Sequence, residues 1–538
     1  MTDFTGTAGV DTFTGGAGAD NFFMQQGGDD VVAGLGGNDG FYFGAALTGN
    51  DDVDGGLGTD SLALQGNYAG LALGDVVAVE VLIALAGNDT RFGDLAGNFY
   101  DYDITTADAN VAAGATLTLI AANLRPGEDI VFDGSAETNG NFRIFAGQGL
   151  DDHTGGSGND GFFFGSDGNL TGADRVVGGG GADTIALRGN YVGARAVTFQ
   201  AASFTGIEAI TFLSGWTNEF GGFIDTNGFD YSVTMADGNV GAGIRLDVIA
   251  GNLRANETLT FNGAAEIDGS YRVISGAGND SIIGSAGDDL LFGRDGADTM
   301  SSGDGDDLLD GGAGNDVLDF GASLTAADTA VGGADQDALL IGGRTYNDVD
   351  FTGASGLETL VVQNTGSDYF LGAEAAAAGF IRIVDSSGGA NRFDLAAFSR
   401  PGDLFITLGV GADTIILADV GSNQLVYNKI ADSSGAAVDT VFGFTSGADR
   451  VIATTFDTPA PLTAIEWQGN QAGLVAAQAA LQAGDGNMDA VFDTVTRTLW
   501  FNVNDDGVLD ANDLAILMPL TPSLAGPDVL DGQSIINI

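Results

Sequence analysis

The chain has 538 residues and a formal net charge of −57, from 17 basic and 74 acidic residues, while 44% of its residues are hydrophobic. So acidic a chain repels nucleic acid, and so apolar a chain is not expected to be disordered. Because cysteine is absent, disulfides and thiolate metal sites are excluded. High charge and a buried core are compatible if multivalent cations neutralise the carboxylates, so composition predicts metal dependence.

The N-terminal segment has a nine-residue period. Its units are GTAGVDTFT (6–14), GGAGADNFF (15–23), QQGGDDVVA (25–33), GLGGNDGFY (34–42) and a further pair over 46–63. In each unit an apolar residue follows an aspartate by two positions, which predicts a glycine turn and a three-residue strand with one inward side chain. The aspartates are Asp11, Asp20, Asp30, Asp39, Asp51 and Asp60.

The nonapeptide segment and the strand-rich segment after it recur along the chain. LTGNDDVDGG (47–56) returns as LTGADRVVGG (170–179) and as LTAADTAVGG (324–333), and residues 102–137 return at 231–266. Three diverged modules of roughly 120 residues are therefore expected, stacked as a solenoid instead of separate globules. The second module carries Asp151, Asp160, Asp174 and Asp183.

Five uninterrupted units occupy residues 275–319. Their turn glycines let carbonyl oxygens converge and their aspartates add carboxylates, a set of hard oxygen ligands that suits Ca²⁺. One unit cannot complete such a shell but two stacked turns can, so ions are expected to bind only when the chain coils. The candidate ligand positions are Gly276, Gly278, Asp280, Gly287, Asp289, Gly296, Asp298, Gly305, Asp307, Gly314 and Asp316, and the inward apolar residues are Ile282, Leu291, Met300, Leu309 and Leu318.

The units GGAGADNFF (15–23), GGLGTDSLA (55–63), GGSGNDGFF (155–163) and GGAGNDVLD (311–319) resemble the nonapeptide G-G-x-G-x-D-x-U-x of RTX (repeat-in-toxin) proteins. The resemblance implies a parallel β-roll that holds multiple Ca²⁺ ions between successive turns. It also implies type I export through an uncleaved C-terminal signal. Calcium is not expected at SLTAADTAV (323–331), which lacks turn glycines. The alternative is that glycine-aspartate turns stack without ions.

The predicted fold class is all-β, a parallel β-roll or β-solenoid with a small C-terminal region that has little helix. Helix is expected to be scarce, with its best candidates at 470–484 and 509–518, and FDTVTRTLWF (492–501) is expected to form a hairpin. The predicted divisions are module 1 (1–145), module 2 (146–274), the uninterrupted nonapeptide block (275–319), a degenerate module 3 (320–418) and a C-terminal cap with a secretion signal (419–538).

A second calcium-binding pattern lies in NVNDDGVLDAND (502–513), which resembles the loop of a dockerin-like half EF-hand. The candidate ligands are Asn502, Asn504, Asp506, the carbonyl of Val508, Asp510 and Asp513, and the apolar run LAILM is expected to form the helix that follows such a loop. The alternative is a polar turn without an ion. Dockerins use two such loops to bind a partner and only one is found, so no cohesin partner is expected.

No catalytic residue and no organic cofactor site is predicted. The only histidine is His153, so an H-E-x-x-H zinc protease is excluded, and no G-x-S-x-G elbow occurs. The nonapeptide register places His153 at an inward apolar position. Carboxylate pairs are numerous enough that spacing alone does not exclude a glycosidase, but the repeats leave little unique sequence for a catalytic domain.

Two functions are compatible with this sequence. The first is a secreted structural protein that folds on Ca²⁺ and self-assembles at the bacterial cell surface, as a surface layer or filament. The second is an RTX adhesin or carbohydrate-binding protein. Its ligand would stack on aromatic side chains, although core packing is the favoured explanation for these residues. These aromatics are Tyr100, Tyr102, Trp216, Phe220, Phe229 and Tyr231.

The expected partners follow from these functions. They are further copies of the chain, a cell-surface polysaccharide or lipopolysaccharide, and the type I secretion machinery. No apolar run reaches the roughly 18 to 20 residues of a membrane span. The first residues, MTDFTGTAGV, show no ordinary signal peptide.

Overall fold

A computed structural model describes residues 1–92, 97–165, 169–201, 203–217, 228–418, 421–428, 432–434, 437–453, 465–481, 488–503, 506–510, 513–525 and 528–531. The chain divides into two compact units, Met1–Arg294 and Asp295–Ile538. Both are built almost entirely of short parallel strands, which confirms the predicted β-solenoid. Among the described residues, no helix is long and apolar enough to cross a membrane.

Unit 1 is a stack of coils in which strands alternate between two faces. Its strands are β1 (Asp3–Thr5), β2 (Thr12–Thr14), β3 (Asn21–Phe23), β4 (Val31–Ala33), β5 (Gly40–Gly44), β6 (Asp52–Asp54), β7 (Ser61–Leu64), β8 (Tyr68–Ala72), β9 (Asp75–Val77), β10 (Val81–Ala84), β11 (Tyr102–Thr105), β12 (Thr116–Ile120), β13 (Ile130–Asp133), β14 (Asn141–Phe145), β15 (Asp151–Thr154), β16 (Gly161–Phe164), β17 (Arg175–Val177), β18 (Thr184–Leu187), β19 (Val197–Thr198), β20 (Phe204–Thr205), β21 (Ala209–Phe212), β22 (Tyr231–Thr234), β23 (Arg245–Ile249), β24 (Leu259–Asn262), β25 (Ser270–Ile274), β26 (Ser281–Ile283) and β27 (Leu290–Asp295). Two 3-10 helices lie at Asp108–Asn110 and Gly193–Arg195.

One face of unit 1 is a continuous parallel sheet in the order β1-β3-β5-β7-β10-β12-β14-β16-β18-β21-β23-β25-β27. The other face is divided among the orders β2-β4-β6-β9, β8-β11-β13-β15-β17-β20 and β19-β22-β24-β26. Most coils therefore give one strand to each face, whereas the coil between β7 and β10 gives β8 and β9, and the coil between β18 and β21 gives β19 and β20.

Unit 2 continues with strands of the same kind and ends in an antiparallel element. Its strands are β28 (Thr299–Ser301), β29 (Leu308–Ala313), β30 (Val317–Gly321), β31 (Thr329–Ala334), β32 (Ala338–Ile341), β33 (Ala354–Ser355), β34 (Thr359–Val362), β35 (Asp368–Phe370), β36 (Arg382–Asp385), β37 (Arg392–Asp394), β38 (Asp403–Thr407), β39 (Thr414–Ile416), β40 (Ser422–Tyr427), β41 (Asp439–Phe442), β42 (Arg450–Ala453), β43 (Ile465–Gln471), β44 (Met488–Asp493), β45 (Thr498–Asn502), β46 (Leu514–Leu517) and β47 (Val529–Asp531). Its helices are α1 (Ala373–Ala378), α2 (Leu474–Ala479) and a 3-10 helix at Asp348–Phe351.

The strands of unit 2 form three runs, of which two are parallel throughout. Their orders are β28-β30-β32-β34-β36-β38-β40-β42-β47, β29-β31-β33, and β35-β37-β39-β41 followed by β46-β45-β44-β43. In the last run β45 is antiparallel to both β44 and β46. The hairpin predicted at 492–501 is therefore confirmed as β44 and β45.

One of the two predicted helices is wrong. Helix α2 falls within 470–484, as expected, but the run predicted as helix at 509–518 contains strand β46, which pairs with β45 and with β41. An apolar run of this length suits a buried strand as well as a helix, and pairing with a neighbouring strand decides between them.

The core of the nonapeptide coils is one side chain thick. All five predicted inward residues of the block, Ile282 and Leu291 in unit 1 and Met300, Leu309 and Leu318 in unit 2, are 0% exposed. At the N-terminal end, Phe22 stacks on Phe4 and on Phe41, with ring centroids 4.8 Å apart in each pair. Side chains of successive coils thus pack in columns.

A tyrosine occupies the same place in each of the three modules. Tyr68, Tyr191 and Tyr346 are buried, and each hydroxyl donates a hydrogen bond of 2.6 Å to a backbone carbonyl, that of Gly44, Gly165 or Gly321. Each ring stacks on the next coil's tyrosine, with centroids 6.0, 6.1 and 6.0 Å apart. The sequence repeat is therefore also a repeat of interior hydrogen bonds.

The thin core predicts a large effect from a single truncation. Leu291→Ala should destabilise the calcium-saturated protein by roughly 2 to 5 kcal/mol, because a cavity in so thin a core has few neighbours that can fill it. The measurement is urea unfolding in excess Ca²⁺. Leu57→Ala is the matched control, since Leu57 is 80% exposed, and equal unfolding midpoints for the two variants would contradict the predicted packing.

Candidate metal-binding turns

The predicted aspartates lie at, or directly before, the first residue of a strand. The carboxylates of Asp39, Asp183 and Asp316 lie beside the first glycine of the preceding turn. Asp11, in the first coil, is half-buried. The others are at most 4% exposed: Asp20, Asp30, Asp39, Asp51, Asp60, Asp151, Asp160, Asp174, Asp183, Asp280, Asp289, Asp298, Asp307 and Asp316. Carboxylates this deeply buried require hydrogen bonds or counter-charges.

Hydrogen bonds join the aspartates of successive coils. The backbone N–H of Asp20 donates to Oδ1 of Asp39 at 2.7 Å, and that of Asp39 donates to Oδ1 of Asp60 at 2.7 Å. We call such a set a ladder. The same bond joins Asp11 to Asp30, Asp30 to Asp51, Asp151 to Asp174, Asp160 to Asp183, Asp298 to Asp316, Asp316 to Asp337 and Asp307 to Asp328. One oxygen of each aspartate therefore fixes the register of the coils without an ion.

Three ladders end in a turn that begins with threonine. Oδ2 of Asp51 accepts the N–H of Thr48 at 2.7 Å and its hydroxyl at 3.2 Å. The N–H and the hydroxyl of Thr171 donate to Oδ2 of Asp174 at 2.6 and 3.0 Å. Those of Thr325 donate to Oδ2 of Asp328 at 2.6 and 3.1 Å. Protein donors thus reach both oxygens of these three carboxylates, and a calcium role for Asp51 and Asp174 stays a prediction.

The other three ladders have turns that begin with glycine, and we call them glycine ladders. Their members are Asp20, Asp39 and Asp60 in the first, Asp160 and Asp183 in the second, and Asp298, Asp316 and Asp337 in the third. Oδ2 has no hydrogen-bond partner among the described residues in Asp39, Asp60, Asp183, Asp316 and Asp337. These atoms are buried acceptors available to a cation.

The first glycine of each turn forms a cradle lined with oxygen atoms. A Cβ on Gly34 would lie 2.6 Å from the carbonyl oxygen of Gly55, one coil on, and would overlap Oδ2 of Asp39. Gly178 and Gly311 have the same surroundings, with Asp183 and Asp316 as the acids. Carboxylate and carbonyl oxygens converge on one point, so the residues fit a hard, oxygen-liganded cation such as Ca²⁺.

The predicted glycines of the block lie at equally close approaches between coils. A Cβ added to Gly278, Gly287 or Gly314 would overlap a carbonyl oxygen of the neighbouring coil. These oxygens belong to Glu257, Gly269 and Gly296, respectively. Gly296 and Gly305 have φ of 122°, which favours glycine. Gly276 instead meets the side chain of Leu253, 2.6 Å from a Cβ position. Their role as carbonyl ligands stays a prediction.

Burial raises the pKa of the carboxylates whose second oxygen lacks a partner. It raises the pKa of Asp60 to about 6, that of Asp183 to about 7 and that of Asp337 to about 6. Acids of neighbouring coils raise these pKa values further, while the one N–H bond that each accepts lowers them. Protons therefore compete with cations at these sites near neutral pH.

Asp151 and His153 lie on the same strand and differ in character. Burial, with Asp174 nearby, raises the pKa of Asp151 to about 8, while the backbone N–H of Gly147 lowers it. His153 is 0% exposed between Phe132 and Val176 of the adjacent strands, and burial lowers its pKa to about 3. It is a neutral core side chain at the inward position that the register predicted.

The predicted C-terminal loop brings several acids together. Asn502 and Asp513 are 0% exposed, and Asp513 accepts the N–H groups of Val503 at 3.1 Å and of Asp510 at 3.0 Å. Burial, with Asp506 and Asp510 nearby, raises the pKa of Asp513 to about 6. Val508 is exposed, and Asn504 lies outside the described residues. The predicted helix after the loop is wrong, because strand β46 follows instead. Calcium binding by the loop stays a prediction.

Several acids of the same kind escaped the sequence analysis. Asp337 belongs to the third glycine ladder, and Asp413 and Asp439 form a further pair with an N–H to Oδ1 distance of 2.8 Å. Oδ2 of Asp413 has no hydrogen-bond partner among the residues described, whereas the Tyr427 hydroxyl interacts with the Asp439 carboxylate. The signal for Asp413 was present as G-x-G-x-D at 409–413, whereas 435 and 436 lie outside the described part of the turn before Asp439.

A comparison with protein families supports this reading of the turns. The model of the RTX calcium-binding nonapeptide repeat (4 copies) matches residues 3–23, 46–62, 170–188, 272–300 and 292–323. These segments include members of all three glycine ladders. No curated protein matches the chain. RTX nonapeptide repeats are calcium-binding, and their number here implies multiple Ca²⁺ ions.

The glycine cradle predicts the effect of a methyl group. Gly34→Ala places a Cβ against the carbonyl of Gly55 and the carboxylate of Asp39, which should destabilise the calcium-bound protein by roughly 1 to 3 kcal/mol and weaken calcium binding. The measurement is the calcium titration of the circular dichroism signal. Gly18→Ala is the control, because a Cβ there meets nothing within 4 Å, and identical titrations for both variants would refute the cradle.

The raised pKa values predict how pH acts. Their folded, metal-free values lie above the ordinary value of 3.8. The folded state without metal therefore binds more protons than the unfolded chain between pH 3.8 and their pKa values, and it loses stability as pH rises through that window. Calcium must displace those protons, so calcium affinity should rise from about pH 5 to about pH 7.5. Isothermal titration calorimetry at both values tests this, and equal dissociation constants would contradict it.

Proposed function

The chain is an RTX calcium-binding repeat protein, and we propose that it is a secreted structural protein that folds on Ca²⁺ outside the cell and self-assembles at the bacterial surface. RTX repeat proteins are generally secreted by type I systems. The observation that carries the proposal is the recurrence of buried carboxylates with an unpartnered oxygen in both units, at Asp39, Asp60, Asp183, Asp316 and Asp337.

These carboxylates couple folding to the ion. Without a cation, each buried oxygen is either charged and unpaired or protonated, and both states cost free energy relative to water. Extracellular calcium modules bind with dissociation constants of about 10⁻⁴ to 10⁻³ M. A chain with many such sites therefore stays loosely folded where calcium is scarce, as export requires, and becomes rigid where calcium is abundant.

Self-association is supported by the charge on the outer faces. Asp52 lies opposite Asp75 in neighbouring strands β6 and β9, and both side chains are exposed. Like charges in directly opposed positions destabilise a sheet. With a formal net charge of −57, two copies of the chain repel each other unless divalent cations bridge their faces, so calcium promotes contact as well as folding.

Few of the aromatic side chains proposed to bind carbohydrate are accessible to a ligand. Tyr102 and Tyr231 are at most 1% exposed, and their hydroxyls donate to the carbonyls of Leu85 and Leu213, each at 2.6 Å. Phe229 is also buried, and Phe220 lies outside the described residues. Trp216 is 37% exposed, but the Arg254 guanidinium covers its ring at 4.4 Å. These contacts favour core packing for most of the set.

The proposal predicts assembly that depends on the ion. Protein purified in chelator should show weak β structure by circular dichroism, and Ca²⁺ in the millimolar range should produce full β structure and ordered sheets or filaments in negative-stain electron microscopy. The same concentration of Mg²⁺ is the control and should do neither. Monodisperse particles in calcium together with binding on a glycan array, lost in Trp216→Ala, would favour the adhesin instead.

A further inference from the structure

Each module has a short turn of one kind just beyond its glycine ladder. The turns are Ala78–Val79, Gly206–Ile207 and Gly356–Leu357, each between two strands. Their first residues have φ of 51°, 62° and 63° and their second residues are buried. A glutamate follows in every case and directly precedes the next strand: Glu80, Glu208 and Glu358. None of these turns has the glycine pattern of the nonapeptide.

Each glutamate occupies the place that the next aspartate of the ladder would take. The N–H of Asp60 donates to Oε2 of Glu80 at 2.8 Å, and the N–H of Asp183 donates to Oε2 of Glu208 at 2.7 Å. The N–H of Asp337 donates to Oε2 of Glu358 at 2.9 Å. The hydrogen bond that elsewhere joins two aspartates is therefore kept, with a longer acid after a shorter turn.

The acid that precedes each glutamate has a buried oxygen available. Oδ2 of Asp60, of Asp183 and of Asp337 has no hydrogen-bond partner in the described parts of the chain, and these residues are at most 1% exposed. Each such oxygen faces the cradle of the first glycine of its turn. The carbonyl oxygens of Ala78, Gly206 and Gly356 approach the same three cradles, closely enough to overlap a Cβ.

We propose that Glu80, Glu208 and Glu358 are calcium ligands that close the last ion site of each glycine ladder. Each site combines the glutamate, the unpartnered Oδ2 of the preceding aspartate and the carbonyl oxygen of the short turn. The short turn has fewer carbonyls to offer than a nonapeptide turn, and the longer glutamate replaces them. Aspartate and glutamate together balance the charge of one Ca²⁺ ion, and a glutamate can bind calcium through both oxygens.

This inference depends on calcium binding and not on self-assembly, so the two can fail separately. The test is the triple variant Glu80→Gln, Glu208→Gln and Glu358→Gln. Glutamine keeps an oxygen that accepts the aspartate N–H but removes the charge. We expect one fewer bound ion for each substituted glutamate, counted by equilibrium dialysis and mass spectrometry of calcium. The matched control Glu374→Gln changes an exposed glutamate of α1 and should bind as many ions as the unchanged protein.

An unchanged ion count in the triple variant, with only a lower stability, would overturn the proposal, because the glutamates would then serve as hydrogen-bond caps alone. If the triple variant does not fold in calcium, the ion counts of the three single variants test the proposal instead. Each should then fold and bind one ion fewer than the Glu374→Gln control. Single variants that bind as many ions as the control would also overturn it. Counting ions on dissolved chains makes the result independent of whether sheets or filaments form.

Discussion

The solenoid depends on a buried aspartate that serves two partners. One oxygen accepts the backbone N–H of the aspartate one coil before it, as between Asp39 and Asp20, and so holds the coils in register. The other oxygen determines how the turn is stabilised. Because both oxygens are buried, each needs a donor or a cation, and the sequence of the turn decides which of the two it receives.

The chain uses two solutions to this constraint. In the threonine turns, a hydroxyl and an N–H of Thr48, Thr171 or Thr325 satisfy the second oxygen. In the glycine turns no protein donor reaches Oδ2 of Asp39 or Asp183 among the described residues, and carbonyl oxygens stand there instead. A group of acceptors without a donor is stabilised by a cation or by a proton. The threonine turns therefore satisfy this oxygen without an ion, while the glycine turns of Asp39 and Asp183 leave it to a cation or a proton.

Much of this arrangement could be predicted because the period is strict. Ile282 and Leu318 are inward since residues two apart on a strand share a face. His153 followed the same register, although its chemistry alone would have indicated a functional site. The strand at Leu514–Leu517 was mistaken for a helix because short apolar runs fit both structures, and only the pairing with β45 decides. Glu80 was missed since its turn has none of the motif's glycines.

The strand-rich segments differ from the glycine ladders in how most of their buried acids are satisfied. Glu128 accepts the N–H of Gly87 at 2.7 Å and the Arg125 guanidinium at 2.9 Å, and Glu257 accepts the N–H of Gly215 at 2.7 Å and the Ser214 hydroxyl at 2.6 Å. Glu137 is the exception, since its Oε2 has no hydrogen-bond partner among the described residues. Longer strands such as β12 and β23 also bury more apolar surface than a three-residue strand does. Each short turn before Glu80 or Glu208 leads from a glycine ladder into such a segment. In our proposal the glutamate therefore lies between coils whose turns bind calcium and coils whose buried acids mostly have protein donors. We infer that such segments retain residual structure without the ion and offer coils on which the glycine ladders can stack when calcium binds, which lowers the cost of nucleating a thin, highly charged solenoid.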